Sequence, residues 1–251
     1  MIASLQQGQA HLWRLPLAEF EEGRLLEAGL PLLSGEERER YARALHPRFR
    51  ALLLAGRLLM RCALSSYGSR GPAEWRIEVG ENGKPFVSNS PQGLTVNLSH
   101  TEGIAVLLVA VAASVGVDVE RPWRILDPLA TGRPVFSDRE MTMLRQMTDE
   151  RERRERFYRI WTVKESLVKA VGAGITGDLR HVTFDVSNPS PRLLETVPAL
   201  AAPADAFFFA KTLPEGFLVS GTIFPFQPVS AILDIDAIAP IRGMIREAIG
   251  S

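Results

Sequence analysis

Near Trp75 the sequence changes its period, and this change limits the possible folds more than any other feature. Before it, residues 36–61 are dense in Glu, Arg, Ala and Leu, which lose little rotamer freedom in a helix. The pattern predicts two helices broken near His46-Pro47, the first opened by Ser34, three residues ahead of Glu37 as in a capping box. Along the second, Leu53, Arg57, Met60 and Arg61 recur at spacings of three and four, and the plain reading is an amphipathic helix with a solvated basic face. After Trp75 come short apolar stretches at 75–79, 94–98, 104–111 and 115–119, punctuated by turn residues, which predict strands. Asn82-Gly83 stands where a tight hairpin turn needs two positive φ values.

Helical character returns at 138–147, entered through Ser137, Asp138 and Glu140, and at about 150–171, where Gly172 offers a left-handed cap. Strands are expected at 182–186, 206–211 and 217–223, although prolines at 189, 191, 198, 203 and 214 leave the boundaries of this last third open. Glu102-Gly103 and Glu215-Gly216 each precede an apolar strand, a hint of duplicated halves.

Composition narrows the classes. Of 251 residues, 46% are apolar and 12 are Phe, enough bulk for a real core, which excludes general disorder. Lys plus Arg and Asp plus Glu both number 29, so no global field exists to hold nucleic acid or an anionic membrane, and any anion site must be local. The longest apolar run, residues 104–113, is far short of the roughly 18 residues a membrane span needs. With no basic leader ahead of an apolar stretch and a lone Cys62, the expected compartment is the cytoplasm.

Two segments carry candidate chemistry. In Gly116-Val117-Asp118-Val119-Glu120 the strand alternation puts Asp118 and Glu120 on one face and the valines on the other, with Arg121-Pro122 ending the strand. Taken alone, this is more often an exposed strand face. In the helix over 150–171, Phe157, Trp161, Glu165 and Lys169 share one stripe. A Glu–Lys pair four apart commonly just supports a helix, but aromatic residues on the same stripe predict that this face packs and draws Glu165 and Lys169 into a partly covered site. Three carboxylates without nearby His or Cys suit a hard cation such as Mg²⁺ rather than zinc, with Lys169 balancing a phosphate. The composite predicts a Mg²⁺–diphosphate substrate.

These residues are similar to a known family. Asn97-Leu98-Ser99-His100, Gly116 to Glu120, and Trp161-Thr162-Val163-Lys164-Glu165-Ser166-Leu167-Val168-Lys169 through Gly174 resemble the 4′-phosphopantetheinyl transferases of the Sfp type, in order and spacing. Gly83-Lys84-Pro85 resembles the family's Gly-Lys-Pro turn, and residues 136–140 resemble the segment between its acidic motifs. The likeness runs from about Ser34 to Gly174. It implies an α+β fold of two similar lobes related by a pseudo-twofold, with the active site in the cleft between them; the lobes are expected at 1–113 and 114–251, the second carrying the metal ligands. It also implies transfer of the phosphopantetheine arm of coenzyme A to a serine of an apo acyl or peptidyl carrier protein, releasing adenosine 3′,5′-bisphosphate. By position, Asp118, Glu120 and Glu165 would bind Mg²⁺. Lys169 would contact the reacting phosphate, and Glu165 would accept the serine proton directly or through water. Ser99, His100, Lys84 and Pro85 would contact coenzyme A. Its 3′-phosphate would meet Arg40 and Arg50, with Arg43, Arg48 or Arg57 as substitutes because the family often has a base where Glu37 stands.

Two other readings stay open: another Mg²⁺-dependent hydrolase of nucleotide diphosphates, and a non-catalytic protein that binds carriers or coenzyme A. The absence of a Gly-x-x-x-x-Gly-Lys-Ser/Thr loop argues against a Walker-type site. Met141, Met143, Leu144 and Met147 are candidates for carrier docking, against the commoner reading of such a stripe as core. With no heptad or long apolar stripe, a monomer is expected.

Overall fold

The computed structural model describes residues 5–6, 8–18, 27–80, 85–90, 93–123, 127–172, 174 and 177–250. The chain is an α+β protein. In order, its elements are β1 (Gln9–Pro16), α1 (Gly35–Arg43), α2 (Pro47–Ser65), β2 (Ile77–Val79), β3 (Pro85–Val87), β4 (Leu94–Thr101) and β5 (Ile104–Glu120). Then follow α3 (Pro128–Gly132), α4 (Asp138–Gln146), α5 (Glu150–Val171), β6 (Thr183–Asp185), β7 (Arg192–Glu195), β8 (Phe207–Thr212), β9 (Leu218–Pro225), β10 (Ala231–Asp236) and α6 (Ile238–Gly250). None of the described helices is long and apolar enough to cross a membrane.

Two compact units divide these elements: residues 1–111 with 229–251, and residues 112–228. The sequence reading set the boundary at 113/114 and gave everything after it to the second lobe; the compact units divide at 111/112, and residues 229–251 belong to the first. Strand β10 pairs in parallel with β1, and Ala237, Ile241 and Ile245 join the core of the first unit. A parallel partner that follows more than two hundred residues later leaves no local signal in the sequence.

In the first unit, β1 lies between β10 and the antiparallel β5, and β4 also pairs with β5. Trp13, Leu54, Leu58, Leu59, Leu107 and Val109 form its core. Helix α1 opens with the expected box: the Glu37 amide donates to Ser34 Oγ at 3.2 Å and the Ser34 amide to Glu37 Oε2 at 2.9 Å. Helix α2 begins at Pro47, whose missing N–H costs nothing at a first helical position. Its predicted solvated basic face is a correction: Arg57 and Arg61 are buried, because Glu37 supplies both with a counter-charge. Strands β2 and β3 pair antiparallel as a hairpin; the predicted Asn82-Gly83 turn lies outside the described residues.

The second unit holds the rest of β5, which pairs with β9, and β9 pairs with β8. The sequence suggested two strands where β5 is one; its register shifts between Ala112 and Ser114, a bulge that lets a single strand change partners. Phe136, Leu144, Phe157, Tyr158, Leu167 and Phe184 lead the core. Helix α5 ends as predicted, on Gly172 at φ 79°. Both Glu-Gly turns close β-hairpins, with Gly103 at φ 96° and Gly216 at φ 82°. Met141 and Leu144 are buried in this core, which corrects their proposed exposure as a docking surface; Met143 and Met147 pack partly against it.

Candidate active site

Strand β5 and helix α5 meet at a glycine. On the β5 face that carries Gly116, Asp118 and Glu120, a Cβ at Gly116 would run into the carbonyl oxygen of Ser166 and the amide nitrogen of Ala170. Only glycine lets the helix backbone come this close to the strand. Small polar side chains fill the remaining contact: Thr162 Oγ1 lies 2.7 Å from Ser220 Oγ, Ser166 Oγ 2.8 Å from Thr222 Oγ1, and Ser114 Oγ donates to the Ala170 carbonyl at 2.5 Å. Opposite them on the ladder, Gly116 faces Thr222 and Asp118 faces Ser220. The valines alternate as expected, with Val117 and Val119 fully buried.

This close approach delivers the stripe of α5 to Asp118. Lys169 Nζ donates to Asp118 Oδ1 at 2.6 Å and to the Val117 carbonyl at 3.0 Å. The aspartate side chain is 9% exposed and that of Lys169 27%, so the pair sits at the edge of a covered region. Glu165 is drawn in beside them. Burial, first, and the negative charge of Asp118, second, raise its carboxyl above the usual glutamate range, while Lys169 opposes them. Phe157 is buried and stacks on the partly buried Trp161 at 5.9 Å, so the aromatic half of the stripe packs as predicted.

Asp118, Glu165 and Lys169 are thus brought together. Glu120 follows on the same strand face at the last residue of β5, half-buried and opposite Leu218. Among the described residues, no three His, Cys, Asp or Glu side chains close around one point. Within the protein, the Lys169 ammonium supplies Asp118 with a counter-charge.

The remaining candidates belong to the first unit. Ser99 is buried on β4 and His100, next along, is exposed; Leu98 between Asn97 and Ser99 packs where Gly56 leaves room on α2. Pro85 is the first residue of β3, paired with Val79, whereas Lys84 lies outside the described residues. Arg40 is exposed on α1, and the Arg50 guanidinium sits 4.5 Å from the centre of the Tyr41 ring. Beneath Arg40, Glu37 binds two arginines, with Arg57 Nε at 3.3 Å and Arg61 Nη2 at 2.6 Å. Burial first, then the charges of Arg40 and Arg61, push Arg57 below the ordinary arginine range, against the pull of Glu37. One carboxylate among three guanidiniums leaves this cluster with excess positive charge.

Sequence reasoning passed over Gly116, the Thr162/Ser166 contacts and Lys164. The glycine carried a signal, since a glycine inside a strand pattern marks a close backbone approach. Lys164 carried none, because a lysine beside a glutamate on a helix reads as solvated.

Residues 114–210, the segment holding Asp118, Glu120, Glu165 and Lys169, match the 4′-phosphopantetheinyl transferase superfamily. The 4′-phosphopantetheinyl transferase HetI of Nostoc is 33% identical over 200 residues, covering 78% of this chain and 82% of that protein. The phosphopantetheinyl transferase of Thraustochytrium is 33% identical over 176 residues, covering 66% and 60%. The human L-aminoadipate-semialdehyde dehydrogenase-phosphopantetheinyl transferase is 30% identical, and the match covers 61% of this chain and 52% of that one. The chain therefore belongs to the 4′-phosphopantetheinyl transferase superfamily and is a transferase.

Proposed function

We propose that this protein is an Sfp-type enzyme that moves the phosphopantetheine arm of coenzyme A onto a serine hydroxyl of an apo acyl or peptidyl carrier protein, releasing adenosine 3′,5′-bisphosphate. One observation carries the reading beyond family membership: Asp118 and Glu165, from a strand and a distant helix, lie within electrostatic range of each other with the Lys169 amine 2.6 Å from Asp118. A phosphoryl-type displacement needs positioning and charge neutralisation more than covalent chemistry, and these groups supply both.

The reading includes Mg²⁺. Asp118 and Glu165 would hold it, with Glu120 next on the same strand face. The donor set fits, because carboxylate oxygens suit a hard cation and the pair already attracts a positive charge, the Lys169 ammonium. When bound, such an ion would neutralise charge on the diphosphate. Lys169 would donate to a phosphate oxygen and offset the charge on the leaving bisphosphate. Glu165, whose carboxyl is raised by burial and by Asp118, is suited to take the serine proton.

Coenzyme A recognition falls to the first unit in this reading: Ser99, His100, Lys84 and Pro85 along the nucleotide, and Arg40 and Arg50 at the 3′-phosphate. Because Glu37 is engaged by Arg57 and Arg61, the second base near Arg40 is Arg57 rather than residue 37. The enzyme is read as cytoplasmic and monomeric. Incubation with coenzyme A, Mg²⁺ and a panel of apo carrier proteins tests it, with intact mass as the readout. A gain of the phosphopantetheine mass is expected. Hydrolysis of coenzyme A without attachment, or binding without turnover, would overturn the assignment.

A further inference from the structure

We propose that Lys164, through its ion pair with Glu140, is a positioning residue that fixes where Glu165 points; the inference rests on the divalent-ion reading of Asp118 and Glu165. Lys164 is fully buried on α5. Its ammonium lies 2.6 Å from Glu140 Oε2 and donates to the carbonyls of Val135 at 3.1 Å and Leu179 at 2.9 Å, so three acceptors meet its three N–H groups. Glu140 in turn accepts from the amides of Ser137 and Phe184, both at 2.9 Å. The lysine therefore ties α5 to the start of α4, to β6 and to the turn around Leu179.

On the other side of Glu165, Ser166 is equally buried and bonded to Thr222 of β9 and to the Val163 carbonyl. Glu165 thus sits between two locked neighbours on different faces of the helix, and neither face can turn without breaking buried polar contacts. A helix with its side chains has a radius of about 5–6 Å, so a rotation of about 10° would carry the carboxylate by about 1 Å. That is the displacement at which a ligand site becomes too loose to work. Surrounding groups that orient a metal ligand typically matter by 10–100-fold in affinity.

The first unit supplies an internal control. Glu37 and Arg61 stand at the same sequence separation as Glu140 and Lys164, with the same capping box and a comparable buried pair. The residue after Arg61 is Cys62, a buried thiol that burial pushes up to about 12, with no part in the proposed chemistry.

The test compares Glu140→Gln/Lys164→Met with Glu37→Gln/Arg61→Met, removing both charges of each pair so that neither leaves a buried ion unmatched. Mn²⁺ binding, followed by the loss of its free-ion paramagnetic resonance signal without coenzyme A or carrier, is read beside circular dichroism. KM and kcat for transfer are then split. The 140/164 variant is expected to bind Mn²⁺ roughly 10-fold or more weakly and to lose kcat rather than raise KM for coenzyme A. The 37/61 variant loses stability while its Mn²⁺ affinity stays within about twofold of the wild type. Should the 140/164 variant not fold, Glu140→Asp keeps both charges and withdraws the carboxylate by one methylene, and its Mn²⁺ affinity falls in the same direction. Unchanged Mn²⁺ affinity in whichever of these variants folds overturns the inference alone. Wild-type protein that binds no Mn²⁺ overturns the divalent-ion reading and this inference with it.

Discussion

In the first unit a capping glutamate, Glu37, is shared by Arg57 and Arg61 of the next long helix; in the second, Glu140 does the same service for Lys164 alone. Both units then run through a small hairpin, β2–β3 or β6–β7, to a pair of strands joined by a Glu-Gly turn with glycine at positive φ. The scaffolds correspond, so what differs marks the work each does. Where the first unit follows its buried cation with Cys62, the second places Glu165 and brings its helix against β5 at Gly116. The first keeps surplus guanidinium charge near α1; the second gathers carboxylates. In the proposed function, the first architecture would grip an anion and the second a cation.

The correspondence can be broken most sharply at the buried cations. Lys164→Met strands Glu140 as an uncompensated buried charge and is expected to cost about 3–5 kcal/mol, whereas Arg61→Met costs less because Arg57 still faces Glu37. Urea unfolding of the two variants measures the difference, and equal losses would show that Arg57 gives Glu37 no relief.

A smaller effect separates the helix-packing glycines. Gly116→Ala pushes a methyl into helix backbone and should cost at least about 1–3 kcal/mol, with loss of transfer. Gly56→Ala meets only the flexible end of Leu98, 2.8 Å away, and costs less. Thermal unfolding and the transfer assay together rank them.

The smallest change in stability is expected at Glu165. Its folded carboxyl is raised, so its favourable contribution is complete below the ordinary glutamate value of about 4.3 and is lost as pH rises through the raised value. Glu165→Gln should therefore unfold at a slightly higher temperature than wild type near neutrality, converge with it in acid, and lack transfer activity. Cys62→Ala, at the matching place in the first unit, should leave transfer intact. A Gln variant that is less stable at neutral pH would mean that Glu165 is held by favourable contacts as an ion.

Much of this was legible because local rules act over a few residues. Ser34 and Glu37, the strand alternation around Asp118, the stripe from Phe157 to Lys169 and the cap at Gly172 were all set by short-range geometry. The pairing of β10 with β1 was not, since its partner lies at the far end of the chain. Nor were the buried guanidiniums of α2: a basic repeat on a helix looks the same whether water or Glu37 neutralises it. Met141 and Leu144 had the periodicity of a core stripe, and the core claimed them.

The irregularity in β5 between Ala112 and Ser114 makes side-chain parity a property that one residue can invert. Downstream of it, even-numbered residues look toward α5 and odd-numbered ones look away. Excising Ala113 offers the strand two outcomes: straighten and keep its count, or slip by one and present Val119 where Asp118 had been. In the second case every side chain survives, yet the carboxylate is buried against apolar neighbours and the valine faces the lysine. For this chain an insertion or deletion near residue 113 is a heavier lesion than most substitutions inside the site.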